Sequence, residues 1–203
     1  LLALSSDLIM IFIAFELLSI SSYILTGFFR HDPKSSEASI KYFLYGSLAS
    51  AMMLYGMSLL YGATASTNLV EIAKSLVGVD LPFGQILVLW WITRVYAISF
   101  KTATAPFHQW SPDAYEGAPT PVTAFLAVGS IGAGFAILIR VLITALPAFQ
   151  LNWAALITGL SIISMTLGNL VAISQKNIKR MLAYSGIAHA GYILIGLVSW
   201  ESG

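Results

Sequence analysis

Five side chains in this 203-residue sequence are suited to exchanging protons, and all lie in or beside apolar runs. Glu16 sits in Ile13-Ala14-Phe15-Glu16-Leu17-Leu18, and Lys101 in Ile98-Ser99-Phe100-Lys101-Thr102-Ala103. His108 follows Lys101, and Lys179 and His189 lie near the end of the chain. A carboxylate can take a proton, and a lysine can hold or release one as its surroundings change. A neutral imidazole accepts and donates at once. Inside a bilayer a charge costs about 2.5 to 3.5 kcal/mol on insertion scales, so such groups face the bundle interior or a hydrated cavity and pair with one another.

Each residue also has a plainer reading. Glu16 can be a structural ion pair or a neutral acid. Lys101 can snorkel from a helix end. His108 can hydrogen-bond a neighbouring helix, and His189 divides evenly between relay and structural hydrogen bond. Lys179, beside Arg180 at a helix start, can be an interfacial anchor. Arg94 either extends a polar line toward Lys101 or snorkels.

Pro106 shifts the balance for Lys101. Proline lacks an amide donor and clashes with the carbonyl four residues back, here that of Thr102. A helix running on to Trp110 is therefore kinked or broken between Lys101 and Pro106. Freed carbonyls survive at membrane depth only against protein or water. Thr102 and Thr104 offer hydroxyls to water there. Discontinuous helices of this kind recur in secondary transporters.

The elements that must hold these groups are membrane helices. Hydrophobic residues make up 58% of the chain and charged ones 9%, where soluble domains carry about a quarter charged. Mean hydropathy is +0.83. A net charge of +1 gives no basis for a nucleic-acid partner, and the absence of cysteine excludes thiolate metal sites and disulfides. The expected fold is an all-α polytopic membrane protein with about six transmembrane helices, each needing roughly 20 apolar residues. They are placed at Leu8–Phe29, Ala38–Tyr61, Phe83 to at least Ala105, Val122–Thr144, Trp153–Ser174 and Met181–Trp200. Asp7 reads as the cap of the first helix, and Ser36, with Glu37 in the first turn, as that of the second. Residues 69–76 read as a short interfacial helix or a loop. The stretch 111–121, with Pro112, Pro119 and Pro121, reads as a rigid loop bracing the bundle end, with Asp113 and Glu116 taking backbone amides or basic partners. Arg30, Lys34, Lys41, Lys176, Lys179 and Arg180 cluster at one end, which the positive-inside rule places on the cytoplasmic side or its equivalent. The chain reads as an internal piece of a longer protein.

Three motifs carry a resemblance. The first is Lys101-x-x-x-x-Pro106-Phe107-His108-Gln109-Trp110-x-Pro112-Asp113-Ala114-Tyr115-Glu116-Gly117-Ala118-Pro119-Thr120-Pro121-Val122-Thr123-Ala124-Phe125-Leu126. The second runs from Gly168-Asn169-Leu170 through Lys179-Arg180-Met181 to His189-Ala190-Gly191-Tyr192. The third is Asp7-Leu8 through Phe15-Glu16-Leu17 and Ser19. Together they resemble the antiporter-like membrane subunits of proton-pumping NADH:quinone oxidoreductase, respiratory complex I, most closely the N-type subunit.

The resemblance implies an antiporter-like fold of two inverted repeats, each with one broken helix. Residues 1–146 would then be most of the first repeat and 147–203 the start of the second. It implies that Glu16 and Lys101 form a pair whose separation sets the lysine's proton affinity. It places His108 and the Lys179 region on a connecting polar axis. It implies no cofactor in this chain. NAD, FMN, iron–sulfur clusters and quinone belong to partner subunits, so the chain is part of a translocase without its own redox site. The implied partners are other membrane subunits, in a hetero-oligomer within the lipid bilayer. The wording around His189 is closer to bacterial than to plastid chains and favours a bacterial plasma membrane over a thylakoid.

One departure stands out. Where the family carries a lysine in the fourth helix, this chain has Gly129-Ser130-Ile131-Gly132. Isoleucine cannot pass a proton. Two other readings therefore stay open: an Mrp-type or hydrogenase-associated cation/proton antiporter subunit, and a structural subunit that no longer pumps.

Overall fold

A computed structural model describes residues 1–77 and 97–200. Helix α1 spans Leu8–Thr26, α2 Pro33–Thr64, α3 Leu69–Ser75, α4 Ala97–Lys101 and α5 Trp110–Gly117. Helix α6 spans Thr120–Ala145, α7 Gln150–Ile173 and α8 Ile178–Val198. Among the described residues, five helices are long and apolar enough to cross a membrane: α1, α2, α6, α7 and α8. The protein is a multi-pass membrane protein. The expected span from Phe83 lies outside the described residues except for its end at α4, and so does Arg94.

Local chemistry explains the boundaries. The Asp7 side chain accepts from the amides of Ile9 and Met10 and starts α1. Helix α2 begins earlier than the sequence suggested. Asp32 caps it by accepting from the Lys34 amide at 3.0 Å, and Pro33 opens the first turn. Proline fits there because the first helical amide has no partner to lose. Ser36 is already inside the helix and is not its cap. Asn68 caps α3, settling the interfacial stretch as a helix, and Asn177 caps α8. Residues Leu126–Ser130 form a π-helical turn within α6.

Burial runs opposite to that of a soluble bundle. Ile9, Ile13, Leu17, Ile20 and Ile24 of α1 are exposed, whereas Ser19, Ser22 and Thr26 are fully buried. Ser50, Ser130, Ser161 and Ser164 are buried as well. Lipid is as apolar as leucine, so helices associate through small and hydroxyl-bearing residues instead. The α7–α8 pair shows this: Ser161 donates to the Gly191 carbonyl at 2.7 Å. A Cβ at Gly168 would stand 2.6 Å from the Ala188 amide nitrogen.

Candidate functional site

The break beside Lys101 is a defined helix end. The Thr104 amide donates to the Ser99 carbonyl at 3.0 Å, and the Ala103 amide to the Phe100 carbonyl at 3.1 Å. Ala103 has φ 54. These two bonds around a left-handed residue make a Schellman C-cap. Glycine is the usual residue at that position, and an L-residue there costs roughly 1 to 2 kcal/mol.

Freed backbone groups are met by side chains. The Trp110 indole donates to the Phe100 carbonyl at 2.8 Å. The Ala105 amide donates to Ser164 Oγ on α7 at 3.0 Å. Thr102 and Thr104 both reach the Ser99 carbonyl with their hydroxyls, at 3.5 and 3.4 Å, rather than standing free for water. Trp110 also stacks on Tyr42, with ring centroids 4.3 Å apart and planes at 7°. The break is thus stitched to α2 and α7.

Lys101 is fully buried. Its Nζ donates to Ser19 Oγ on α1 at 3.0 Å and lies 5.2 Å from the centre of the Phe15 ring. Its stem packs on α6 because Gly134 has no side chain: a Cβ there would stand 3.2 Å from Lys101 Cγ. Around it is a cavity of about 30 Å³ lined by Leu8, Ile11, Phe15, Met53 and other apolar residues.

Glu16, one turn from Ser19 and half-buried, accepts from the Ser50 hydroxyl of α2. Among the described residues, Glu16 and Lys101 do not form an ion pair within 4.0 Å. Each instead holds its own serine, Ser50 for Glu16 and Ser19 for Lys101. Glu16 and Ser19 lie three residues apart on α1, so both serine-bonded groups meet that helix within one turn.

The other sequence-predicted residues lie further off. His108, half-buried, follows the break and meets the Tyr184 ring of α8 edge-on at 6.2 Å. Lys179 donates to the Ala118 carbonyl at 2.7 Å. His189 is exposed on α8, beside Tyr192 with ring centroids 5.7 Å apart. Lys179, His189 and Ile131 line one open groove of about 570 Å³ between α6 and α8.

The stretch 111–121 is corrected. Its first part is helix α5, not loop. Its acids do take basic partners: Asp113 binds Lys41 at 2.9 Å and Arg180 at 2.5 Å, and Glu116 binds Lys34 and Arg180, both at 3.1 Å. Partial burial pushes the Asp113 carboxyl up, but the bonds to Lys41 and Arg180 outweigh it and hold it below its ordinary value. The Lys34 bond chiefly, and that to Arg180, hold Glu116 low against a smaller burial effect. With Glu37, which pairs with Lys41 at 2.7 Å, one six-membered charge cluster therefore joins α2, α5 and α8 at the basic end.

Sequence reasoning gave no role to Ser164, quoted Trp110 and Ser19 only within motifs, and read Ser50 and Gly134 only as small residues at helix contacts. The usable signal for Ser19 was its spacing of three from Glu16, which puts both on one helical face.

A family model described as NADH:quinone oxidoreductase/Mrp antiporter, transmembrane, matches residues 5–202. NAD(P)H-quinone oxidoreductase subunit 2 of Prochlorococcus marinus is 51% identical over 194 residues, covering 96% of this chain and 37% of that relative. The chain therefore spans little more than a third of that relative's length. A chain of the respiratory complex I of Thermus thermophilus with bound aureothin superposes with a TM-score of 0.80 at 39% identity, over 97% of this chain and 42% of that one. A chain of the Mrp complex of Dietzia has a TM-score of 0.85 at 24% identity, over 98% of this chain and 36% of that one, which shows the antiporter-like fold.

Proposed function

Because the chain belongs to the NADH:quinone oxidoreductase/Mrp antiporter transmembrane family, we propose that it is part of a proton-translocating membrane subunit of an NAD(P)H:quinone oxidoreductase. Protons load on Lys101, under the control of Glu16, and move along a polar axis toward His108, Lys179 and His189. Redox chemistry belongs to partner subunits, which hold NAD, FMN, iron–sulfur clusters and quinone. This chain contributes the membrane step. The carrying observation is a fully buried ammonium at the end of a broken helix, bonded to one serine and packed on a glycine. A charge at that depth is costly, and residues of this kind mark ion and proton pathways.

The host membrane in this reading is a bacterial plasma membrane, and fractionation of the host's membranes checks it. The Mrp-type reading has the fold in its favour, but the nearer identity lies with the quinone oxidoreductases.

The test is NADH-driven proton uptake into inverted vesicles carrying the full-length parent protein in its complex, with NADH oxidation recorded alongside. Lys101→Ala is expected to lower proton uptake per NADH sharply while the complex stays assembled. An unchanged ratio in an assembled complex assigns Lys101 a structural role and favours the non-pumping reading.

A further inference from the structure

A hydroxyl side chain inside a long helix has a ready partner, the carbonyl one turn back. Ser21, Ser22 and Thr26 of α1 and Ser47 and Thr64 of α2 all take it, donating to the carbonyl four residues earlier at 2.6 to 2.8 Å. Ser50 departs from this. The carbonyl four residues before it is that of Gly46, yet its hydroxyl donates across to Glu16 Oε1 on α1. A hydroxyl bond to a carboxylate is roughly twice as strong as one between neutral groups, so the bond to Glu16 is the stronger of the two choices.

The place of Ser50 makes that bond consequential. It lies on the buried face of α2 with Ala49 and Met53. Met53, one turn on, lines the cavity around Lys101. On the α1 side, Glu16 is one turn from Ser19, which takes the Lys101 ammonium at 3.0 Å. The carboxylate and the ammonium are therefore each tied to a hydroxyl, and among the described residues no ion pair joins them. Opposite charges attract more strongly in a medium of low dielectric, so the separation needs a restraint. Packing alone would be served by alanine at 50, as it is at the fully buried Ala49.

We propose that Ser50 is a positioning residue that ties the Glu16 carboxylate to α2 and keeps it off Lys101. The tether rests on the reading of Lys101 as a proton carrier under the control of Glu16. A carrier has to give its proton up, and a carboxylate in direct contact would hold the ammonium charged. Ser19 and Gly134 fix the lysine, and Ser50 fixes the glutamate. The gap between the two charges is then set by how the helices pack. Without the Ser50 hydroxyl, the Glu16 carboxylate turns away from α2 and closes onto Lys101.

The experiment uses the full-length protein in its complex and reads proton uptake per NADH in inverted vesicles. A hydroxyl bond to a charged group weights the held position about tenfold or more, so Ser50→Ala is expected to cost most of the ratio. Ser50→Thr keeps the hydroxyl and is expected to restore most of that loss. A structure of the assembled Ser50→Ala complex is expected to show Glu16 in direct contact with Lys101. A wild-type ratio in Ser50→Ala, with Lys101→Ala still defective, overturns the tether and leaves the lysine's role standing. A loss that Ser50→Thr does not repair marks packing damage and also overturns it, as does a Glu16 side chain that has not moved in the Ser50→Ala structure. If Lys101→Ala itself has no effect, the underlying reading falls too.

Discussion

Lys101 and Ser19 are joined by a 3.0 Å hydrogen bond between the broken-helix segment and α1. The bond gives a buried ammonium an oxygen without giving it a counter-charge. A hydrogen bond to a charged group contributes about 1.5 to 3 kcal/mol. Ser19→Ala should therefore favour the uncharged amine and weaken proton loading. Proton uptake per NADH in inverted vesicles is expected to fall while NADH oxidation in uncoupled vesicles is kept.

The helix end at Ala103 gives a stability prediction. With φ 54, this residue sits where glycine is unstrained. Ala103→Gly is expected to stabilise the protein by about 1 kcal/mol, and Ala103→Val, branched at Cβ, to destabilise it by more. Thermal unfolding of the purified complex in detergent reads both. A lower midpoint for the glycine variant would contradict the cap.

Trp110 seals the break. Trp110→Phe keeps an aromatic ring on Tyr42 but removes the 2.8 Å bond to the Phe100 carbonyl. The expected cost is about 1 to 3 kcal/mol, the penalty for a weakened buried acceptor. Hydrogen exchange of the amides of residues 103 to 105 should rise with it. Unchanged exchange would mean that the remaining bonds hold the break without the indole.

The charge cluster carries a pH signature. Asp113 and Glu116 have folded-state pKa values below the ordinary 3.8 and 4.5. A depressed carboxyl adds stability that is fully present above its ordinary value and is lost as pH falls through the lower folded value. Asp113→Asn should destabilise the bundle end at neutral pH by at most about 1 kcal/mol, since its partners remain partly exposed. The gap to wild type should close in acid, below the ordinary carboxylate range. Melting curves across pH check this, and a gap that persists in acid would argue for packing instead.

The sequence made the membrane class and the break legible for simple reasons. Charges in apolar runs are costly enough to mark themselves, as Glu16 and Lys101 did, and Pro106 removes a donor wherever it falls. Finer local features were hidden by competing signals. Three prolines made residues 111–121 read as loop, yet Pro112 falls in the first turn of α5, where an amide has no helical partner to lose. Ser36 and Glu37 imitated a helix start, but Asp32 followed by Pro33 is the stronger pair and acts first. Ala103 gave no hint of a helix cap, because that signal is normally a glycine. Ser19 looked like one serine among many, and only its contact with a residue 82 positions away distinguishes it.

The glycine opposite Lys101 has a mechanical consequence. With Gly134 against its stem and Phe15 beside its tip, the lysine has little torsional freedom. It cannot swing like a surface lysine toward and away from a carboxylate. On the proposed reading, any change in the gap to Glu16 would come from the helices that carry the two residues and not from a swing of the lysine side chain.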